Sequence, residues 1–105
     1  MADPQIIQEA ADLFKVLGDP TRLSILVLLS KDEENVSAIG KKLGIEQSNV
    51  SHQLKLLRKH QLVKSRRDGK SKIYAPDDAH VYEFLTQVLD HVEEKSKEES
   101  DDLLH

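Results

Sequence analysis

Apolar residues recur at helical spacing along most of this chain, and the gaps between the helical stretches fall at glycine, proline and capping residues. Ile6, Ala10, Leu13, Phe14 and Leu17 share one side of an amphipathic helix over residues 5–17, which Gly18 stops. Asp19-Pro20 opens a second helix, because aspartate can cap a free amide and proline lacks the N–H that the first turn would leave unpaired. Leu23, Ile25, Leu26, Leu28 and Leu29 make that helix largely buried, ending near Ser30, and Lys31-Asp32-Glu33-Glu34 reads as a loop. Asn35 suits the cap of a short helix over residues 36–43, with Val36, Ile39 and Leu43 inward and Gly44 as its end. After the tight connection Gly44-Ile45-Glu46, a longer helix over residues 47–60 buries Val50, Leu54 and Leu57.

The period then changes. Residues 62–67 alternate partly like a strand, Asp68-Gly69 is a hairpin turn signal, and residues 71–75 return as a second strand. Pro76-Asp77-Asp78 starts the last helix, over residues 77–95, where Val81, Phe84, Leu85, Val88, Leu89 and Val92 form an apolar stripe. Beyond Ser96 the charge-rich composition predicts a frayed, flexible tail over residues 96–105. The whole is a single domain over residues 1–105, mainly α with a small β-hairpin. At 105 residues its core is modest, so burial between two copies would add materially to stability, and a homodimer is expected.

Two helices joined by a short glycine turn form a helix-turn-helix, whose second helix enters the DNA major groove by its N-terminal residues. Gln47, Ser48, Asn49, Ser51, His52 and Lys55 are exposed on that helix in this reading, and their side chains suit base edges or phosphates. The hairpin that follows is a wing, with Arg66, Arg67, Lys70 and Lys72 clustered near its tip. This is a winged helix-turn-helix.

Charge sharpens that picture. The net charge of −4 would argue against a polyanionic partner if it were evenly spread. Residues 41–72, however, carry ten basic side chains against Glu46 and Asp68, a net of +8, while residues 73–105 carry −8. A basic middle third is the electrostatic footprint of double-stranded DNA binding. The chain has no cysteine, which excludes disulfide frameworks, thiolate metal sites and thiol redox sensing. It has no cationic segment followed by an apolar run and no stretch of membrane-spanning length, so a soluble cytoplasmic protein without membrane contact is expected.

The last helix adds a second chemistry. Asp78, His80, His91 and Glu94 form the pattern Asp-x-His-x10-His-x2-Glu. At about 100° per residue, His80, His91 and Glu94 lie within roughly 60° of one another, and Asp78 can turn back toward His80 from the helix start. His80 and His91 are eleven residues apart. At about 1.5 Å per residue that is roughly 16 Å, far beyond zinc-nitrogen bonds of about 2.0 to 2.1 Å. One straight helix cannot close the site. Two antiparallel copies can, each pairing Asp78 and His80 of one subunit with His91 and Glu94 of the other, which predicts two intersubunit metal sites and one ion per subunit. Two imidazoles and two carboxylates fill a tetrahedral zinc shell, so a structural or regulatory role fits better than catalysis and no small organic substrate is implied.

Residues 14–23 (Phe-Lys-Val-Leu-Gly-Asp-Pro-Thr-Arg-Leu), residues 47–57 (Gln-Ser-Asn-Val-Ser-His-Gln-Leu-Lys-Leu-Leu), the wing and the metal-ligand helix together resemble the ArsR/SmtB family of metal-responsive transcriptional repressors over nearly the whole chain. The last element is similar to that family's zinc-sensing site on the C-terminal dimer helix, and it matches at all four ligand positions. The Cys-x-Cys motif of the family's arsenic, cadmium and lead sensors is absent. The resemblance implies that the apo dimer binds a promoter inverted repeat and that zinc releases it, derepressing an efflux or sequestration gene. It also implies an allosteric contact from His91 to the backbone near Gln61, at the end of the recognition helix.

The competing readings are a cobalt or nickel sensor of the same fold and a DNA-binding dimer whose metal only staples the subunits. Nickel would recruit extra ligands such as Glu98 or His105. A zinc hydrolase is the weakest alternative, because the donor set fills the metal and no separate general base stands beside it.

Overall fold

A computed structural model describes residues 3–104, with side chains described through residue 99. His105, the more distant of the candidate nickel ligands, lies outside the described residues. The element order is α1 (Pro4–Leu17), α2 (Pro20–Lys31), β1 (Glu34–Asn35), α3 (Val36–Leu43), α4 (Gln47–Lys59), β2 (Val63–Asp68), β3 (Ser71–Pro76) and α5 (Ala79–Leu104).

Local chemistry sets most of these boundaries. Asp3 accepts from the Ile6 amide at 2.9 Å, Asp19 from Arg22 at 3.0 Å and Asn35 from Ala38 at 2.8 Å, so α1, α2 and α3 each begin on a capping side chain. Gly44 ends α3 in the left-handed region, φ 67°, a conformation that residues with a Cβ adopt only with backbone strain. Ile25, Leu26, Leu29, Ile39, Val50, Leu54, Leu57, Leu62 and Val63 form the core, drawn from α2, α3, α4 and the start of the wing. No helix among the described residues is long and apolar enough to cross a membrane.

Three expectations are corrected. The stretch 31–34 is not simply a loop: Lys31 closes α2, and Glu34 and Asn35 pair with Tyr74 and Ile73 to make β1, the third strand of a sheet ordered β1-β3-β2. Two residues are too few to display a period of two, and Asn35 doubles as the α3 cap, so only the partner strand defines β1. The hairpin turn lies one residue later than Asp68-Gly69 suggests. Asp68 still pairs with Ser71, leaving Gly69-Lys70 as the loop, and Gly69 alone has positive φ (64°), as in a type II′ turn. Finally, the last helix does not stop at residue 95: helical geometry continues to Leu104, through a segment with no glycine or proline to break it.

The C-terminus of α4 adopts an arrangement that composition does not announce. Leu62 N–H donates to the Leu57 carbonyl and Gln61 N–H to that of Arg58, both at 3.0 Å, with Gln61 left-handed at φ 59°. This is a Schellman closure with glutamine where glycine is usual. Gln61→Gly is therefore expected to stabilise the fold by about 1 kcal/mol, read as a raised urea midpoint with unchanged slope. A lower midpoint would mean that the glutamine side chain makes a compensating contact.

Candidate nucleic-acid interface and metal-ligand helix

Helix α4 turns its apolar side, Val50, Leu54 and Leu57, completely into the core. Gln47, Ser48, Asn49, Ser51, His52 and Lys55 are all exposed, as the sequence pattern required. At about 100° per residue, Ser48, His52 and Lys55 occupy the middle of the exposed face, with Asn49 and Ser51 on its two flanks. Gly40 of α3 is buried against the turn, and the Ile45 amide donates to its carbonyl at 2.9 Å, tying the turn to the end of α3.

Two residues outside the expected set hold the Asn49 flank. Arg22 of α2 donates through Nε to the Val16 carbonyl at 2.7 Å and through Nη2 to that of Lys15 at 3.4 Å, closing the end of α1. Its Nη1 donates to Gln53 Oε1 at 3.2 Å, and Gln53 Nε2 donates to Asn49 Oδ1 at 3.1 Å. The four-residue spacing of Asn49 and Gln53 is a readable sequence signal. The link to Arg22, 31 residues away, is not.

Arg66, Arg67, Lys70 and Lys72 are exposed on the wing. Arg67 and Lys72 face each other across the hairpin, while Arg66 pairs with Ile73 in register and its Nη2 meets Glu33 Oε2 at 2.6 Å. Lys42 is similarly paired with Glu34. Glu33, just before β1, and Glu34, its first residue, thus supply counter-ions to the basic surface.

On α5, Asp78 caps the helix: its Oδ1 accepts from the His80 amide at 2.8 Å and lies 3.2 Å from His80 Nδ1. The His80 amide, then the His80 ring and the Val81 amide, hold the Asp78 carboxyl below the usual carboxylate range, so it is ionised at neutral pH. If Nδ1 carries the proton of a neutral imidazole, Nε2 is left with the lone pair that a metal needs. His80, His91 and Glu94 are exposed. Asp78 and His80 are together, whereas His91 and Glu94 stand further along the same helix, and among the described residues no three donors converge within one chain.

The apolar stripe of α5 is divided between two tasks. Leu85 is buried and packs on the core with Val81, whereas Phe84, Val88 and Val92 are 42%, 40% and 57% exposed. Phe84 meets Phe14 of α1 edge to face, with ring centroids 5.8 Å apart, and Ile6, Ile7 and Phe14 of α1 are also exposed. Cavities of about 190 and 200 Å³ flank this aromatic pair, both lined by Phe14, Leu17 and Phe84. Tyr82 ties α5 to the end of α4: its hydroxyl donates to the Leu62 carbonyl at 3.0 Å, and the Asp77 amide donates to the same oxygen at 3.2 Å. Burial, with Asp77 nearby, pushes the Tyr82 hydroxyl far above the ordinary phenol range, which keeps it a donor. No hydrogen bond joins His91 to Gln61 within the chain among the described residues.

The family model for bacterial regulatory proteins of the arsR family matches residues 19–65, from the α2 cap into the wing. The HTH-type transcriptional regulator NmtR of Mycobacterium tuberculosis is 37% identical over 87% of this chain and 76% of its own length. The chain belongs to the ArsR family. As an ArsR-family protein it is a DNA-binding transcriptional regulator and not an enzyme. A transcriptional repressor SmtB homolog of Synechocystis sp. is 38% identical, the match spanning 83% of this chain and 66% of that protein. The homodimeric winged helix-turn-helix domain of Mb0332 from Mycobacterium bovis superposes with a TM-score of 0.83 at 27% identity, covering 93% of each chain. The ArsR-family chain thus has the winged helix-turn-helix architecture in full.

Proposed function

We propose that this ArsR-family chain is a zinc-responsive repressor: a homodimer that binds operator DNA in its apo form and leaves it when two intersubunit sites fill. Each site takes Asp78 and His80 from one subunit and His91 and Glu94 from the other. The observation that carries this reading is the division of α5 into two donor pairs separated by an exposed apolar stripe of Phe84, Val88 and Val92. Antiparallel packing of two such helices buries the stripes and brings unlike donor pairs together. The donor set fits the ion, with an ionised carboxylate, a second carboxylate and two imidazoles for a closed tetrahedral shell. Bound zinc would supply a divalent charge that ties the two α5 helices together.

Release of DNA requires that the metal-bound conformation disfavour the spacing of the two α4 helices. The Tyr82 and Asp77 bonds to the Leu62 carbonyl connect the Asp78-His80 end of α5 to the end of α4, and a His91 contact to the Gln61 backbone would add a second connection on metal binding. A coupling of about 1 to 3 kcal/mol is typical of such switches and must act equally on zinc affinity when DNA is bound.

Subunit mixing tests the proposal. His80→Ala and His91→Ala homodimers are each expected to lose one ligand from both sites, weaken zinc binding by at least about tenfold and stay on DNA when zinc is added. A dimer mixed from the two variants keeps one intact site, with His80 from one subunit and His91 from the other. Random reassociation makes about half the dimers mixed, each with one of its two sites intact, so recovery of about a quarter of the wild-type zinc binding is the expected result, read by competition with a chromogenic chelator. Failure of the mixture to recover any tight site would show that the donors do not meet across subunits.

A further inference from the structure

We propose that Arg22, acting through Gln53, fixes the polarity of Asn49 so that this recognition-helix side chain presents its amide N–H groups to DNA and selects guanine. The chemistry leaves one arrangement. A guanidinium has donors only, so the Gln53 oxygen must face Arg22 Nη1, where it sits at 3.2 Å. The Gln53 amide nitrogen is then the group left to meet Asn49, and two NH₂ groups cannot bond to each other. Asn49 must accordingly turn Oδ1 toward Gln53, at 3.1 Å, which makes Nδ2 its uncommitted group.

Position matches this polarity. Asn49 is exposed on the third residue of α4, in the N-terminal part of the helix that contacts base edges. An unrestrained asparagine favours adenine, because its oxygen accepts from N6 while its nitrogen donates to N7. An asparagine whose oxygen is engaged by Gln53 is better matched to guanine, whose N7 and O6 are both acceptors. Arg22 is a positioning residue in this scheme, anchored by the Val16 and Lys15 carbonyls at the end of α1. Base choice on α4 is thereby linked to the junction between the first two helices.

The test is selection of bound sites from a randomised duplex library by the full-length apo protein, followed by affinity measurements on single base-pair variants of the selected site. Wild type is expected to prefer guanine over adenine by about tenfold at one position of each half-site. Asn49→Ala should lose the preference at that position alone. Gln53→Leu, which leaves the Arg22 bonds to Val16 and Lys15 in place, should shift the same position toward adenine or make the two bases equal. Arg22→Met should match Gln53→Leu, and where that variant does not fold, Gln53→Leu decides. An unchanged base profile in Gln53→Leu overturns the proposal. So does a uniform weakening across all sites in Asn49→Ala, which is the signature of a phosphate contact or a merely structural role.

Discussion

Phe84→Lys is expected to leave the chain folded but monomeric, and to weaken operator binding by roughly 10² to 10⁴-fold. Phe84 is 42% exposed on α5, next to Phe14, Val88 and Val92, which are 58%, 40% and 57% exposed, so its loss removes little from the chain's own core. In the proposed dimer each copy contributes this ring to the shared face, and burying a phenylalanine is worth about 1.5 to 3 kcal/mol. A lysine there would bring two unpaired ammonium groups into an apolar interface, replacing a favourable burial with a desolvation cost. Binding to an inverted repeat then fails because the second half-site contact is no longer intramolecular, which is a loss of roughly 10² to 10⁴ in avidity. Sedimentation equilibrium reads the first effect and fluorescence anisotropy on the operator reads the second. A Phe84→Lys protein that still sediments as a dimer would place the subunit interface elsewhere.

Gly40→Ala is expected to destabilise the protein by about 1 to 3 kcal/mol and to weaken DNA binding in the fraction that remains folded. Alanine is normally the better helix residue by about 1 kcal/mol, so propensity alone gives the opposite sign. Space reverses it: a Cβ on Gly40 would lie 2.8 Å from the Ile45 carbonyl oxygen, a backbone atom that cannot rotate away. The turn must move off α3, carrying the start of α4 with it and changing how the recognition helix is presented. Gly44→Ala is the control. Its Cβ meets nothing within 4 Å, so at φ 67° it costs only backbone strain, about 1 kcal/mol, and leaves the packing of α3 on the turn intact. Urea denaturation and anisotropy separate the two variants. Equal behaviour would mean that the Gly40 contact does not set the geometry of the turn.

The parts of this fold that were legible in the sequence are those written in local chemistry. Asp19, Asn35 and Gly44 announce the limits of α2 and α3 because each acts on amides or carbonyls within four residues of itself. The exposed face of α4 follows from three buried positions at helical spacing. What stayed hidden depends on distant partners. β1 exists through pairing with Tyr74 and Ile73, and Arg22 reaches Gln53 only after α1, α2 and α4 have packed. Gln61 in a left-handed conformation was equally unreadable, since glutamine carries no turn preference and the closure of α4 depends on where Leu62 is buried. For the metal donors, the residue types and their helical phase are in the sequence, while among the described residues no three of them come together within one chain, and the convergence proposed above takes two.

The ion pair between Glu33 and Arg66 gives the wing a built-in counter-ion. When a phosphate takes Arg66, Glu33 is set free and recruits a cation from solution, so the exchange releases one ion from DNA while capturing another near the protein. In the proposed complex the wing would therefore grip the backbone with a weaker dependence on ionic strength than its four exposed cations imply. In the proposed repressor this would hold the operator more evenly as the salt content of the cell rises and falls, and would leave dissociation to the metal.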